Sequence, residues 1–437
     1  MTSGQPVFAD DDAGATDLAG MLADQGLRTV LLIDIPGPED YARWTAGQDA
    51  VIAGIGTRAM RPQEAYERTR AAVRLLKTAG PAAIEIKYCS TFDSTPDGNI
   101  GPSIDAAMDE LAESFTIALP ALPVNGRTTY MGYHFVHGQL LSESPMRNHP
   151  LNPMSEPNLV RLLQCQTRRN VGSAAHPAVA AGVSALYQEF GRLRSEGVEI
   201  AVVDCLSEGD VETICEAAAD MRLITGSSAP AMKLPAVWRR HGLLGKPAGE
   251  TAWLRPAPGG SGFLIVAGSC SEATRGQNDC AAASGARAHR IDAEALLGDY
   301  DHTALVQKVA DELSAGHTCL IATSEDPGGV RRVQDAARAA GMSISGAGLK
   351  IARTLAEVVC RVVEARPPAG LLVAGGETSS AICRRLELGA LQVGPNIEAG
   401  VPLCHSVGRF PMLVILKSGN FGGPDFYASA RRRALGS

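Results

Sequence analysis

The feature that most constrains this chain is an alternation. Short apolar runs recur along its length and are separated by stretches with helical spacing. Arg28–Asp34, Ala50–Ile55, Ala82–Ile86, Phe115–Leu119 and Val198–Asp204 read as strands in the first half. Phe263–Ala267, Thr318–Ala322, Gly370–Ala374 and Met412–Leu416 read as strands in the second. Residues 63–79, 104–111, 303–315, 328–341 and 348–365 read as helices between them. This pattern predicts an α/β fold. Gly132–Leu141 alternates in polarity around a His-Gly pair and reads as a hairpin.

A chain of 437 residues exceeds what one ordinary core organises, so two domains are expected. Breakers concentrate in Leu244-Gly-Lys-Pro-Ala-Gly249 and Pro256-Ala-Pro-Gly-Gly-Ser-Gly262. They put the boundary near residue 245, giving domains 1–245 and 246–437.

Several function classes drop out early. The formal net charge is -7, which argues against nucleic acid or an anionic membrane as the main partner. No apolar run is long enough for a membrane span. Met1–Pro6 lacks the regions of a secretion signal. The ten cysteines form no C-x-x-C pair, so a zinc ribbon is not expected. Scattered single thiols suit a reducing cytoplasm.

Three turns in the second half share one design. Gly268-Ser-Cys-Ser271, Gly375-Gly-Glu-Thr-Ser-Ser380 and Ser418-Gly-Asn-Phe-Gly-Gly423 each follow a strand. Ligands of α/β sheets sit beyond the carboxyl ends of the strands. Glycines there let backbone N–H groups approach phosphate oxygens. One such turn is commonly a simple cap. Three, together with Lys417, point to nucleotide phosphates. The P-loop, protein-kinase and dinucleotide patterns are all missing from the sequence.

The first half carries a different chemistry. Lys87-Tyr-Cys-Ser-Thr-Phe-Asp-Ser-Thr-Pro-Asp-Gly-Asn-Ile-Gly101 joins a strand to a helix and is dense in hydroxyls, carboxylates and amides. Ala9-Asp-Asp-Asp-Ala-Gly-Ala-Thr-Asp17 precedes a helix, where acidic residues serve as caps or as ligands for a polyol or Mg²⁺. Arg58, Lys87, Arg127 and Arg147 supply positive charge for a small anion. His149, beside Pro150, reads as a structural loop residue. The histidines show no metal spacing, and Ser90 and Ser94 sit in no nucleophile elbow.

Taken together, these blocks resemble the four-carbon acid sugar kinase family. The resemblance runs through ADDDAGATD (9–17), KYCSTFDSTPDGNIG (87–101), LPVNGRTTYMGY (122–133) and SESPMRNHPLNPMSE (142–156). It continues through AGSCSEATRGQ (267–277), GGETSSA (375–381), GPNIEAGVP (394–402) and KSGNFGGPDFY (417–427). It implies two α/β domains, an N-terminal one for the acid sugar and a C-terminal one for the nucleotide, with a substrate and nucleotide cleft between them. It implies ATP and Mg²⁺, and transfer of the γ-phosphate to the C4 hydroxyl of an acid sugar such as a 3-oxo-tetronate.

By motif position, nucleotide contacts fall on Ser271, Gly375, Gly376, Glu377, Thr378 and Gly419. Substrate contacts fall on Asp10, Arg58, Lys87, Ser94, Asn99, Asn125 and Arg127. Asp93 and then Asp11 are the candidates for the base. Closure of the domains to exclude water is also expected. The partners implied are the sugar and ATP, with a homodimer the base-rate expectation. Asp12 and Ala13 depart from the family pattern, which has an aromatic or aliphatic residue and then Thr. Two alternatives stay open: another activity, kinase or isomerase, on a related acid sugar, or a non-catalytic acid-sugar sensor.

Overall fold

A computed structural model describes residues 7–10, 12–58, 60–148, 152–245, 261–323, 326–398 and 400–436, with only the backbone described for 7–10, 12, 13 and 148. The chain divides into two compact units. The first is Met1–Arg28 with Gly37–Gly249, and the second is Thr29–Pro36 with Glu250–Ser437.

The strands, in chain order, are β1 (Val7–Asp10), β2 (Thr29–Leu32), β3 (Ala50–Gly54), β4 (Ile84–Lys87), β5 (Thr116–Leu119), β6 (Arg127–Tyr130), β7 (Tyr133–Val136), β8 (Gln139–Leu140), β9 (Val171–Ala174), β10 (Ile200–Val203) and β11 (Leu223–Gly226). They continue as β12 (Phe263–Ala267), β13 (Arg287–Arg290), β14 (Thr318–Ala322), β15 (Gly370–Ala374), β16 (Ala390–Glu398), β17 (Val401–Ser406) and β18 (Leu413–Lys417).

In the first unit the order is β3-β1-β4-β11-β5-β10-β9, and every pairing is parallel. β3, β4, β5, β10 and β11 are buried at every position. Parallel strands covered by helices on both faces need no polar side, which is why their sequences read as unbroken apolar runs. Between β5 and β9 the chain leaves this sheet. There it builds the small antiparallel sheet β6-β7-β8 and the helix Leu159–Gln166.

The second unit runs β13-β14-β12-β15-β18 in parallel, then turns antiparallel through β17, β16 and β2. β2 therefore belongs to the second unit although β1 and β3 belong to the first, and it pairs antiparallel with β16, with Leu31 opposite Leu391. Its four buried residues announce a strand but carry nothing that names the partner.

Seven of the described strands escape the sequence pattern, β1 and β6 among them. β9 is Val-Gly-Ser-Ala, and β13 is an edge strand with three of its four residues exposed. β16 contains Gly-Pro-Asn, a turn signal, and absorbs it with register shifts around Asn396. β11 is a short apolar run between two helices, and β17, Val-Pro-Leu-Cys-His-Ser, is broken by proline and histidine. The expected hairpin at Gly132–Leu141 is present as β7 and β8, preceded by β6. Among the described residues no helix is long and apolar enough to cross a membrane. All ten cysteines are free, and six of them are buried.

Candidate active site

β3, β1 and β4 are neighbours, so whatever follows their carboxyl ends converges. After β3 comes Thr57-Arg58, and β4 ends at Lys87. Arg58, Lys87, Asp93 and Asn99 line one pocket with Ile55, Thr57 and Cys89. Asp93 is buried and receives Arg58 twice on its Oδ2: from Nε at 3.0 Å and from a terminal guanidinium nitrogen. The Asp93 side chain is 1% exposed, whereas that of Arg58 is 39% exposed. A carboxylate this deep needs such a partner. Arg58, partly exposed, lines the same pocket.

Lys87 is itself buried. Asp17, on the helix Asp12–Asp24, faces it; burial raises the Asp17 carboxyl and the Lys87 charge opposes that rise. Asp10 ends β1 beside Gly54 of β3, but its side chain lies outside the described residues, as does Asp11.

The turn between β4 and the helix Ile100–Leu111 is fastened from several sides. Phe92 adopts a left-handed backbone (φ 50°), and its fully buried ring packs edge-on against Tyr88 at 5.4 Å. Ser94 is buried and its Oγ accepts from Gln166 Nε2 at 2.9 Å. The Asn99 amide donates to the carbonyls of Thr57 (2.7 Å) and Met60 (2.9 Å), bracing the loop that carries Arg58. Asn152 donates to the Asp93 carbonyl at 3.3 Å.

His134 on β7 holds the same turn. Its Nε2 lies 2.9 Å from the carbonyl of Ser90, which can only accept, so Nε2 carries the proton. Nδ1 then accepts from the Thr129 hydroxyl at 3.0 Å. The ring is fully buried, and burial lowers its pKa to about 4. The positive charge of Arg127 pushes the same way. Arg127 and Thr129 share one face of β6, opposite Val136 and His134 of β7. Asn125 is exposed, and its carbonyl accepts from Arg127. Ser94, Asn125 and Arg127 thus lie outside the pocket lined by Arg58 and Asp93.

In the second unit, β12, β15 and β18 are adjacent and parallel, so their three glycine turns meet. Gly375 has φ 128°, open to glycine alone, and a Cβ there would approach the Ser269 nitrogen to 3.2 Å. A Cβ on Gly268 would overlap the Thr378 hydroxyl, and one on Gly419 the Ser269 hydroxyl. Gly375 precedes the helix Gly376–Arg385. The first N–H groups of that helix, on Gly376, Glu377 and Thr378, have no acceptor within it. The Glu377 carboxylate lies against Gly348 of the helix Ile344–Ala365.

Ser271 caps the helix Glu272–Ala283 through Thr274 N (3.2 Å) and donates to the Gly419 carbonyl at 2.7 Å. Thr274 Oγ1 (2.8 Å) and Lys417 Nζ (3.2 Å) donate to the same carbonyl. Lys417 is buried, which lowers its pKa to about 8 against the pull of Glu398. Gln277 closes the turn from the other side, donating to the Phe421, Gly422 and Gly423 carbonyls. Glycines held this closely, beside a helix N-terminus, suit an approaching polyphosphate. Among the described residues, no cluster of three His, Cys, Asp or Glu could hold a metal ion.

His134, Asn152, Gln166 and Gln277 have no sequence signature as site residues. Each acts through a contact far away in the chain.

A parallel-sheet unit with a small anionic-ligand pocket, joined to one with a phosphate-shaped glycine cluster, is the make-up of a small-molecule phosphotransferase. Residues 6–234 match the model of a sugar-binding N-terminal domain, and residues 264–427 that of a nucleotide-binding C-terminal domain. The chain is 41% identical to a 3-oxo-tetronate kinase of Pseudomonas fluorescens, over 98% of this chain and 96% of the relative. It is equally similar to one of Cupriavidus necator, with the same coverage. To that of Salmonella typhimurium it is 36% identical, over 98% of each chain. A Salmonella typhimurium structure, solved under a provisional description as a tRNA synthase, superposes with a TM-score of 0.81 at 34% identity, covering 99% of this chain and 100% of that one. A Haemophilus influenzae structure follows at 0.78 and 34%, covering 98% of this chain and 100% of that one. The chain belongs to the four-carbon acid sugar kinase family.

Proposed function

We propose that this chain is an ATP-dependent kinase that phosphorylates the C4 hydroxyl of 3-oxo-tetronate, giving 3-oxo-tetronate 4-phosphate. The observation that carries this reading is the 41% identity to 3-oxo-tetronate kinases across 98% of the chain. Its two halves correspond to an acid-sugar-binding domain (1–245) and a nucleotide-binding domain (246–437).

The site chemistry supports the reading. The substrate is a small anion rich in oxygen. The exposed part of Arg58, with Lys87 close by, suits its carboxylate through charge-assisted hydrogen bonds. Asp10 adds a carboxylate on the substrate side; Ser94 and Asn99 act there by holding the turn, and Asn125 and Arg127, outside this pocket, contribute positive charge and polarity from β6 and its approach. Asp93 accepts the C4 proton, with Asp11 as the second candidate. In the resting pocket Oδ2 of Asp93 is engaged by Arg58; a substrate carboxylate that draws on the same guanidinium would release that oxygen. Ser271, Gly375, Gly376, Glu377, Thr378 and Gly419 form the nucleotide side, with backbone N–H groups facing the phosphates. The nucleotide-side turns would hold the ATP phosphates together with Mg²⁺, which when bound would supply charge neutralisation for the transferring group.

A related acid sugar is the second reading, favoured by Asp12 and Ala13 beside the substrate loop. A panel of 3-oxo-tetronates of both stereochemistries, threonate, erythronate and 3-oxoisoapionate, read by ADP release, decides between them. The highest kcat/KM is expected for a 3-oxo-tetronate. ADP release with none of the panel above the ATPase background would overturn the reading and leave the sensor alternative.

A further inference from the structure

The helix Ile100–Leu111 opens beside the Arg58–Asp93 pocket, and its cap is irregular. Asn99 occupies the N-cap position, where its side chain would ordinarily accept from the first turn. It makes no such bond. Its amide is turned to the carbonyls of Thr57 and Met60, on the loop that carries Arg58. The missing cap comes from 65 residues away: Gln166 Oε1 accepts from Gly101 N at 2.9 Å.

The other end of the Gln166 amide works on Asp93's own turn. Nε2 donates to Ser94 Oγ at 2.9 Å and to the Thr95 carbonyl at 2.6 Å. Two glycines make room for it. A Cβ on Gly101 would fall 2.6 Å from Gln166 Cβ, and one on Gly98 would fall 2.9 Å from Nε2. Only a planar amide of this length offers an acceptor for Gly101 and donors for Ser94 and Thr95 together. A carboxylate has no donor, and asparagine is one carbon short.

We infer that Gln166 is a positioning residue of phosphoryl transfer. Lying outside the pocket, it sets the Ser94–Gly101 turn and with it the placement of Asp93 against Arg58. The inference rests on reading the Arg58–Asp93 pocket as the acid-sugar site. Small misplacements of a reacting group cost large factors in rate, so the residue that holds the turn belongs to the reaction although it touches no substrate.

The test uses Gln166→Glu and Gln166→Met in the full chain. Kinetic constants for 3-oxo-tetronate and ATP are read beside the melting temperature. Gln166→Glu keeps an acceptor at a helix N-terminus, where negative charge is favourable, so its melting temperature stays near wild type. Having lost both donors, it is expected to lose about tenfold or more in kcat for the sugar, with KM for ATP within about twofold of wild type. Combined with Asp93→Asn, it should add little to the loss from Asp93→Asn alone, because the two act through one group. Gln166→Met removes all three bonds and should lower both kcat and stability. A Gln166→Glu enzyme with wild-type kinetics overturns the inference even if Gln166→Met fails to fold, and so does full additivity with Asp93→Asn. Wild-type protein that turns over no acid sugar overturns the site reading instead, a result distinct from both.

Discussion

Arg58 and Asp93 are joined through a single oxygen: Oδ2 of Asp93 takes both the Nε of Arg58, at 3.0 Å, and one of its terminal nitrogens. The arginine comes from the loop after β3 and the aspartate from the turn after β4, 35 residues apart in sequence. A buried carboxylate and a half-exposed guanidinium paired in this way can divide a substrate between them. Asp93→Asn should therefore lower kcat by about 10²–10⁴-fold, the usual contribution of a general base. Binding of the sugar, measured separately by calorimetry, should change little. Arg58→Lys should chiefly raise KM for the sugar, since an ammonium cannot serve two carboxylates through a planar fork. An Asp93→Asn enzyme with near-wild-type turnover removes Asp93 as the base.

The glycine cluster makes a separable prediction. Gly375→Ala puts a side chain at φ 128° and 3.2 Å from the Ser269 nitrogen. Strain of this kind costs about 1–3 kcal/mol. The turn should shift, raising KM for ATP by roughly tenfold or more while acid-sugar binding stays intact. Loss of sugar binding without loss of ATP binding would contradict the division of labour between the two units.

His134 predicts an acid limit. Burial lowers its pKa in the folded chain to about 4, below the ordinary value of 6.5, so the unfolded chain binds its proton first. The folded state is favoured in full above pH 6.5, and this advantage is lost as pH falls toward 4. For a fully buried ring the loss amounts to roughly 3 kcal/mol. Chemical denaturation of His134→Gln, which keeps a donor for the Ser90 carbonyl, should show a flatter pH dependence across that window. Parallel curves for the variant and the wild type would mean that His134 does not titrate with unfolding.

Burial pushes the Lys417 ammonium down to about 8 in the folded chain, against an ordinary value of 10.5. The depressed value means that the charged form is penalised on folding, so this group's contribution to stability improves as pH rises from 8 to 10.5. ATP binding should respond in the opposite sense. Above pH 8 the positive charge at the Gly419 carbonyl is lost, so KM for ATP should climb in the wild type. In Lys417→Arg, which stays protonated, the rise should be blunted. An identical pH profile in the two proteins would separate Lys417 from nucleotide binding.

The legible part of this molecule was the part with period and repetition. β12, β14 and β15 coincide with the apolar runs that announce them, because a strand buried on both faces leaves a run with no polar interruption. The three glycine turns were legible for a related reason: a sheet order that makes β12, β15 and β18 neighbours brings together turns that already look alike. β2 was legible as a strand but not as a member of the second unit, since four buried residues hold no register information. Asn99 was legible as a polar residue of the substrate turn, yet its amide turns away to the Thr57 and Met60 carbonyls. Gln166 was not legible at all. Its significance lies in three bonds to residues 65 to 72 positions distant, and nothing local in the helix Leu159–Gln166 signals them.

The central claim concerns one bond: phosphorus to the C4 oxygen of 3-oxo-tetronate. In that sugar C4 is a methylene carbon and C2 a methine. Phosphorus NMR of the product formed with ATP therefore reports the site of transfer directly. One new phosphate ester is expected whose signal is split by two methylene protons, read before any decarboxylation, because loss of carbon dioxide would make C2 a methylene too. A signal split by a single proton places the phosphate on C2 and contradicts the account, as does the absence of any ester while ATP remains intact.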